Sequence, residues 1–136
     1  MMTGTQRIKA LLDGSPIDRT PIGGWYHMPL VDRNVTDFTR ELIASTDLNK
    51  WDFIKIMTNG HFYTEAYGGD IAFSKVNTMW SGTVKRYPIR SAADARNLPV
   101  LDIDNPVWQR ELKILRNLKD YYQDLSLIHI SEPTRP

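Results

Sequence analysis

Three polar side chains stand just beyond two segments that are predicted to be strands. His27 follows residues 22–26, and Asn59 and His61 follow residues 51–57. Because a histidine changes its charge near neutral pH, His27 is a candidate base, zinc ligand or substrate contact. The alternative is a loop histidine that makes a single backbone hydrogen bond. On this basis His27, Asn59 and His61 are the candidate catalytic residues.

A histidine and a carboxylate also lie close together after the second of these strands. His61 and Glu65 are separated by three residues, one of them Tyr63, and such a pair is sufficient for acid–base chemistry but common by chance. Lys55 lies within the strand among apolar neighbours, where an unpaired ammonium group would be costly. It is expected to form a structural salt bridge with a carboxylate, the alternative being that it faces a polar cavity.

Two aromatic residues complete the set of candidates. Trp25 and Tyr26 could floor a pocket for a flat ligand, although aromatic side chains near a strand end more often belong to the core. The chain has no cysteine, so neither a disulfide nor a thiolate metal site can be built from it, and no metal ligand is assigned. The candidate substrate-binding residues are Trp25, Tyr26, Lys55, Tyr63 and Glu65.

The elements that would position these residues alternate between helix and strand, which is typical of the α/β class. The last predicted helix carries a wide apolar stripe that must be buried, although little of the chain remains to cover it. Apolar spacing predicts helices at residues 6–13, 37–45, 91–97 and 106–124, with Thr36 and Ser91 as N-caps. Strands are predicted at residues 22–26 and 51–57, with two outer strands at residues 71–76 and 81–89.

The composition is that of a globular protein without an obvious polyelectrolyte partner. Of the 136 residues, 41% are hydrophobic and 24% are charged, which is sufficient for a core. A net charge of +1 creates no field that would attract nucleic acid or an anionic membrane. No apolar run approaches the roughly 20 residues of a membrane helix, and the start lacks the apolar stretch of a secretory signal. A cytoplasmic protein is therefore expected.

Four short motifs carry a family resemblance that covers residues 7–124. They are RIKALLDG at residues 7–14, IDRTPI at residues 17–22, WDFIKIM at residues 51–57 and EAYG at residues 65–68. Their order resembles the opening of the uroporphyrinogen decarboxylase superfamily, which also contains cobalamin-dependent and coenzyme M methyltransferases. The resemblance implies a TIM-type (β/α)8 barrel. Because such a barrel needs about 250 residues, the chain would end before the barrel closes.

The resemblance also implies a position for the active site. Active sites of such barrels lie at the carboxyl ends of the strands, which is where His27, Asn59 and His61 are expected. Decarboxylases place an arginine-containing loop after the first strand to bind substrate carboxylates, whereas residues 23–30 contain no arginine. They also place an aspartate where this chain has Asn59, which cannot carry a negative charge. The methyltransferase-like or uncharacterised branch is therefore favoured over a divergent decarboxylase of porphyrin biosynthesis.

The methyltransferase relatives imply cofactors that this stretch of sequence cannot hold. In them a zinc ion, bound by histidine and cysteine ligands from the later half of the barrel, activates a thiol. For the full-length protein the resemblance implies zinc, a corrinoid or its carrier protein, a small-molecule substrate and a homodimer. A third hypothesis is a small non-catalytic binding domain, which would require the long amphipathic helix to find a complete core within the chain.

The end of the chain resembles a sequence of another origin. Residues 125–135, LSLIHISEPTR, are similar to the in-frame translation of a transposase sequencing adapter. We therefore assign residues 1–124 to the amino-terminal portion of a barrel domain and residues 125–136 to an artefactual tail, which is excluded from fold reasoning. The chain by itself is expected to be inactive and to fold poorly.

Overall fold

The computed structural model describes the backbone and side chains of residues 1–122 and the backbone of residues 126–128. Helices and strands are mixed along the chain, which confirms the α/β class. No helix among the described residues is long and apolar enough to cross a membrane. The elements are α1 (Gly4–Leu12), α2 (Val35–Asn49), β1 (Phe53–Lys55), α3 (Phe62–Ala66), β2 (Asp70–Phe73), β3 (Gly82–Arg86), α4 (Ala92–Arg96), α5 (Pro106–Tyr121) and β4 (Ser126–Ile128).

The helices begin at residues whose side chains satisfy free backbone amides. The predicted cap Ser91 is confirmed at α4, where its hydroxyl accepts a hydrogen bond from the Asp94 amide at 3.2 Å. The predicted cap Thr36 at α2 is wrong. Asn34 occupies this position, and its Oδ1 accepts a hydrogen bond from the Asp37 amide at 2.9 Å. Because α2 begins one residue before Thr36, the threonine already lies inside the first turn.

The predicted strand at residues 22–26 is not formed. Gly23 and Gly24 pack so closely against two aromatic rings that a Cβ would lie 2.5 Å from the ring of Phe53 and 2.4 Å from that of Trp51. The two glycines therefore allow the backbone to lie on the aromatic side chains around β1. This contact with rings replaces the regular ladder of hydrogen bonds that a strand would need.

The strands form two separate pairs. β2 and β3 form an antiparallel hairpin, which confirms the two predicted outer strands in shorter form. β1 is reduced to three residues of the predicted segment 51–57, and it pairs in parallel with β4, with Ile54 opposite Leu127. A parallel pair requires a crossover connection, and the chain between β1 and β4 contains α5.

The segment assigned to an artefactual tail lies only partly within the described residues. Residues 126–128 form β4, whereas residues 123–125 and 129–136 lie outside the described part of the chain. Pairing with β1 uses main-chain groups, which every residue except proline offers in the same way. The position of these residues after α5, rather than their side chains, is thus sufficient to bring them to the free edge of β1.

The core is small and lies between α2, β1 and α5. Phe38, Ile54, Ile114 and Leu118 are fully buried in it. Of the wide stripe on α5, the row with Ile114 and Leu118 is buried, and Leu115 is only partly covered. Among the described residues eight hydrophobic side chains are buried, while seventeen large ones remain exposed. The chain thus leaves much apolar surface for contact with something else.

Candidate functional site

A buried network of ion pairs surrounds the amino end of β1. Asp52, which directly precedes the strand, is 4% exposed. Its carboxylate accepts hydrogen bonds from both terminal nitrogens of Arg19, at 2.5 and 2.9 Å, and from the amide of Ile22 at 2.8 Å. It also contacts the guanidinium of Arg7. Burial opposes ionisation of Asp52, but the hydrogen bonds from Arg19 and Ile22 and the nearby guanidinium charges lower its pKa.

Arg7 joins this network to the first helix and to the connection that follows it. The Arg7 side chain is 2% exposed and binds Asp18 through two hydrogen bonds, Nε to Oδ1 at 2.7 Å and Nη2 to Oδ2 at 2.9 Å. Hydrogen bonding from Arg7 lowers the pKa of Asp18. Two of the motifs that carry the family resemblance, RIKALLDG and IDRTPI, thus supply residues that hold α1 and the connection onto β1. Because these ion pairs join three segments of the chain and are largely buried, we assign them a role in stability.

A second polar cluster lies after the carboxyl end of β1 and contains two of the candidates. Asn59 is completely buried, and its Oδ1 accepts a hydrogen bond from the amide of His61 at 3.0 Å. Its Nδ2 lies 3.3 Å from Oε2 of Glu65. Arg110 on α5 binds Glu65 through two hydrogen bonds of 3.0 and 2.9 Å. Burial opposes ionisation of Glu65, but this bidentate pairing lowers its pKa.

The cluster contains more carboxyl groups than guanidinium groups. Arg110 also binds Glu111 at 3.0 Å, and Arg33 Nε lies 3.6 Å from Glu65. Asp32 is 1% exposed, and neither of its oxygens has a hydrogen-bond partner among the described residues. The same is true of Glu111 Oε2. Three carboxyl groups therefore face two guanidinium groups.

The unmatched carboxyl groups hold their protons unusually strongly. Burial raises the pKa of Asp32 to about 6, and the nearby Ser81 hydroxyl and the positive charges of Arg110 and Arg33 offset this only in part. Burial also raises the pKa of Glu111, despite its hydrogen bond from Arg110. Near neutral pH the cluster is thus close to the point where it takes up or loses a proton.

Replacing Asp32 with asparagine should change how stability depends on pH. Asp32 has a raised pKa in the folded chain, so folding binds a proton between about pH 4 and 6, and ionisation above that range destabilises the fold. The free energy of unfolding of Asp32→Asn minus that of the unmodified chain should therefore rise by up to about 2 kcal/mol between pH 5 and pH 8. Urea unfolding in sucrose, which favours the compact state, measures this difference. If this difference stays constant with pH, the raised pKa of Asp32 is contradicted. Asp104→Asn, at an exposed site, is the control.

The remaining candidates do not join the cluster as an acid–base pair. His61 lies at the start of α3, and its Nε2 is 2.9 Å from the carbonyl oxygen of Gly82, so it anchors the β2–β3 hairpin. Glu65 is bound to Arg110 and Asn59 instead. Although His61 and Glu65 are close in sequence, the structure directs their side chains to different partners.

Trp25, His27 and Lys55 form a separate group. The rings of Trp25 and His27 meet edge to face with centroids 6.2 Å apart, and His27 Nδ1 is buried without a hydrogen-bond partner among the described residues. The predicted salt bridge of Lys55 is wrong: within residues 1–122 no carboxylate lies within 4.0 Å of it. Its Nζ lies 4.8 Å from the centroid of the Trp25 ring. An aromatic face attracts an ammonium group and leaves it partly hydrated, so no carboxylate is required.

The other two aromatic candidates are largely exposed. Tyr26 is 48% exposed, and Tyr63 is 57% exposed. The ring of Tyr63 packs against Phe62 and Trp108, with centroid separations of 4.1 and 5.3 Å. Tyr63 therefore belongs to an aromatic group with Phe62 and Trp108, separate from the pair of Trp25 and His27.

Four residues of the cluster were not predicted from the sequence: Asp32, Arg33, Arg110 and Glu111. For Glu111 a signal was present. It lies three residues before Ile114 and seven before Leu118, so helical spacing places it on the buried stripe of α5. A charged side chain on the buried face of a helix needs a partner, which could have indicated a polar cluster. Asp32 and Arg33 lie in a connection, where the pattern carries no such signal.

An open cavity of about 380 Å³ adjoins this cluster between α3, α5 and the chain that leads into α5. Its wall is mostly aromatic and aliphatic, with Glu111 as its one ionisable carboxyl group. Within residues 1–122 no three histidine, aspartate or glutamate side chains come together in a way that could hold a metal ion. The lining residues are Thr58, Phe62, Tyr63, Leu101, Ile103, Trp108, Glu111, Leu112 and Leu115.

Comparison with known proteins shows the fold. No family model matches the chain, and no curated protein matches it. Among solved structures, a methyltransferase from Methanosarcina mazei superposes on 93% of the chain with a TM-score of 0.73 and 15% sequence identity. The chain has the fold of part of this methyltransferase. It spans 41% of that protein's length.

Proposed function

We propose that the chain is the amino-terminal portion of a TIM-type (β/α)8 barrel enzyme of the uroporphyrinogen decarboxylase superfamily, in its methyltransferase-like branch. The observation that supports the proposal is the fold shared with a methyltransferase over 93% of the chain. The motif resemblance adds support independent of the coordinates.

The surroundings of Asn59 favour the methyltransferase-like branch. A decarboxylase would use a negative charge at this position, whereas both polar ends of the Asn59 amide are already engaged, by His61 and Glu65. Position 59 itself therefore offers no carboxylate to a developing positive charge. The small core also disfavours a self-contained binding domain, since seventeen large hydrophobic side chains remain exposed within residues 1–122.

The proposal assigns metal chemistry to residues outside this sequence. The described residues do not fit a zinc site of the histidine and cysteine type, because the chain has no cysteine and His61 Nε2 already contacts Gly82. Zinc, a corrinoid or its carrier protein, and a homodimer in the cytoplasm therefore belong to the proposal for a longer protein. The contribution of this part is to orient a small-molecule substrate, and His27, which follows residues 22–26, is our candidate for that contact.

Long-read sequencing of the source DNA across the codon for Asp124 tests the proposal. We expect the reading frame to diverge from the printed sequence after Asp124 and to continue for about 200 further residues, enough to close a barrel. A His-x-Cys motif followed by a later cysteine would support thiol methylation, and their absence would favour the divergent decarboxylase. A frame that ends at Pro136 would overturn the assignment of residues 125–136 and require a small complete domain.

A further inference from the structure

The cavity beside α5 combines an apolar wall with one acidic side chain. Leu112 and Leu115 from the helix form one side, and Phe62 and Trp108 form another, with ring centroids 5.6 Å apart in an edge-to-face arrangement. Because these rings are packed against each other, no ligand group fits between them. A ligand would lie on their common surface, in about 380 Å³ of space, which is enough for one small aromatic ring.

Glu111 connects this cavity to the charged cluster. Its side chain lines the cavity, and its Oε1 accepts a hydrogen bond from Arg110 at 3.0 Å. Behind it, Asp32 is buried with both carboxylate oxygens unpartnered among the described residues. With three carboxyl groups against two guanidinium groups, the cluster carries one uncompensated negative charge when all five groups are ionised. Low-dielectric walls concentrate the field of such a charge into the cavity.

We propose that this cavity binds a small ligand with an apolar ring and a positively charged end, such as a protonated primary amine. The ring would lie against Leu112, Leu115 and Trp108, and the charged end would lie on the Glu111 side. There it would supply the positive charge that the cluster lacks. This inference does not depend on the proposed enzyme function, so its failure would leave the sequencing test unaffected.

Two other occupants agree less well with the same geometry. A divalent metal ion needs several oxygen or nitrogen ligands at once, and no three such side chains of the described residues are arranged so that they could hold one ion. An anionic ligand would meet Glu111 and the uncompensated charge behind it. A neutral apolar ligand would contact the apolar wall without using the charge. The probe experiment below distinguishes such a ligand from a cationic one.

Three probes of similar size distinguish a cationic, a neutral and an anionic ligand: benzylamine, benzyl alcohol and benzoate. Saturation-transfer NMR on each probe with the 136-residue chain measures relative affinity. We expect benzylamine to bind at least about tenfold more tightly than benzyl alcohol, and benzoate not to bind. Equal affinity for benzylamine and benzyl alcohol, or no binding of benzylamine, would overturn the proposal.

Two substitutions locate the binding. Glu111→Gln should weaken benzylamine about tenfold and leave benzyl alcohol unchanged, whereas Glu41→Gln on the exposed face of α2 should change neither. Leu112→Trp should block both probes by filling the cavity. If Glu111→Gln does not fold, the pH dependence of benzylamine binding to the unmodified chain serves as the test instead. In the unmodified chain benzylamine should bind more weakly at pH 5 than at pH 8, because protonation of Asp32 and Glu111 removes their negative charges and leaves the two guanidinium groups of Arg33 and Arg110 against the single carboxylate of Glu65. Affinity that is constant over this pH range would contradict the proposal.

Discussion

Replacing Asp52 with asparagine should reduce the free energy of unfolding by about 3–5 kcal/mol, because it leaves two guanidinium groups beside a buried neutral amide. Arg7 and Arg19 both bind this carboxylate, and Arg7 is itself buried. Asparagine retains the shape of the side chain and can still accept the hydrogen bond from the Ile22 amide. The expected loss therefore reports the charge at this position rather than the volume.

Soluble yield and urea unfolding in sucrose measure the effect. A core of eight hydrophobic residues gives a small margin of stability, so a loss of this size should remove most of the folded chain. Asp104→Asn, in the exposed chain before α5, is the matched control and should leave both readouts unchanged. If Asp52→Asn were as stable as Asp104→Asn, the network around β1 would not hold the fold together.

Replacing Arg110 with methionine should also cost about 3–5 kcal/mol near pH 7.5. The substitution keeps an apolar stem on α5 but removes the bidentate partner of Glu65 and the hydrogen bond to Glu111. Arg33 is then the remaining positive charge beside three carboxyl groups, of which Asp32 and Glu111 are buried, and its contact with Glu65 is longer, at 3.6 Å. The folded variant should therefore bind protons more strongly than the unfolded chain does.

The stability of the Arg110→Met variant should therefore depend on pH in a definite direction. In the unmodified chain Glu65 has a lowered pKa, so its contribution to stability is present above its unfolded pKa and is lost as pH falls. In Arg110→Met the carboxyl groups have raised pKa values, so stability should partly return between pH 7.5 and pH 5. Urea unfolding at pH 7.5 and at pH 5 measures this recovery of stability. Arg116→Met, exposed on the same helix, is the control, and Arg110→Lys should be intermediate because it keeps the charge but not the bidentate geometry. A loss in Arg110→Met that is independent of pH would exclude this explanation.

Local patterns predicted most of the helices and the hairpin. Apolar spacing indicated α5, and the capping chemistry of Ser91 indicated α4, because both depend on residues within one or two turns of each other. The strand predicted at residues 22–26 is wrong because the contacts of this segment are with residues far away in the sequence. What replaces its strand is the contact of Gly23 with the ring of Phe53 and of Gly24 with the ring of Trp51, residues that lie about thirty positions further along the chain.

The contacts of the candidate site also divide into those between residues close in sequence and those between residues far apart. Asn59, His61 and Glu65 are near one another in sequence, and the contact of Asn59 with both others is a local one. Lys55 was recognised as an unusual residue, but its partner Trp25 lies in another segment and could not be read from the strand. The family resemblance indicated the region of the site without indicating which ionic partners hold it.

The amino-acid sequence by itself determined the α/β class, the amphipathic face of α5, the neutral residue at position 59 and the absence of thiolate ligands. These properties follow from residue types and from spacing over a few positions. Only the tertiary structure decided that Asp52 binds Arg19 and that Glu65 binds Arg110, across 33 and 45 positions of the chain. Ion pairs of this range depend on which surfaces meet when the helices pack on β1, and burial of those surfaces then sets the charge of the cluster.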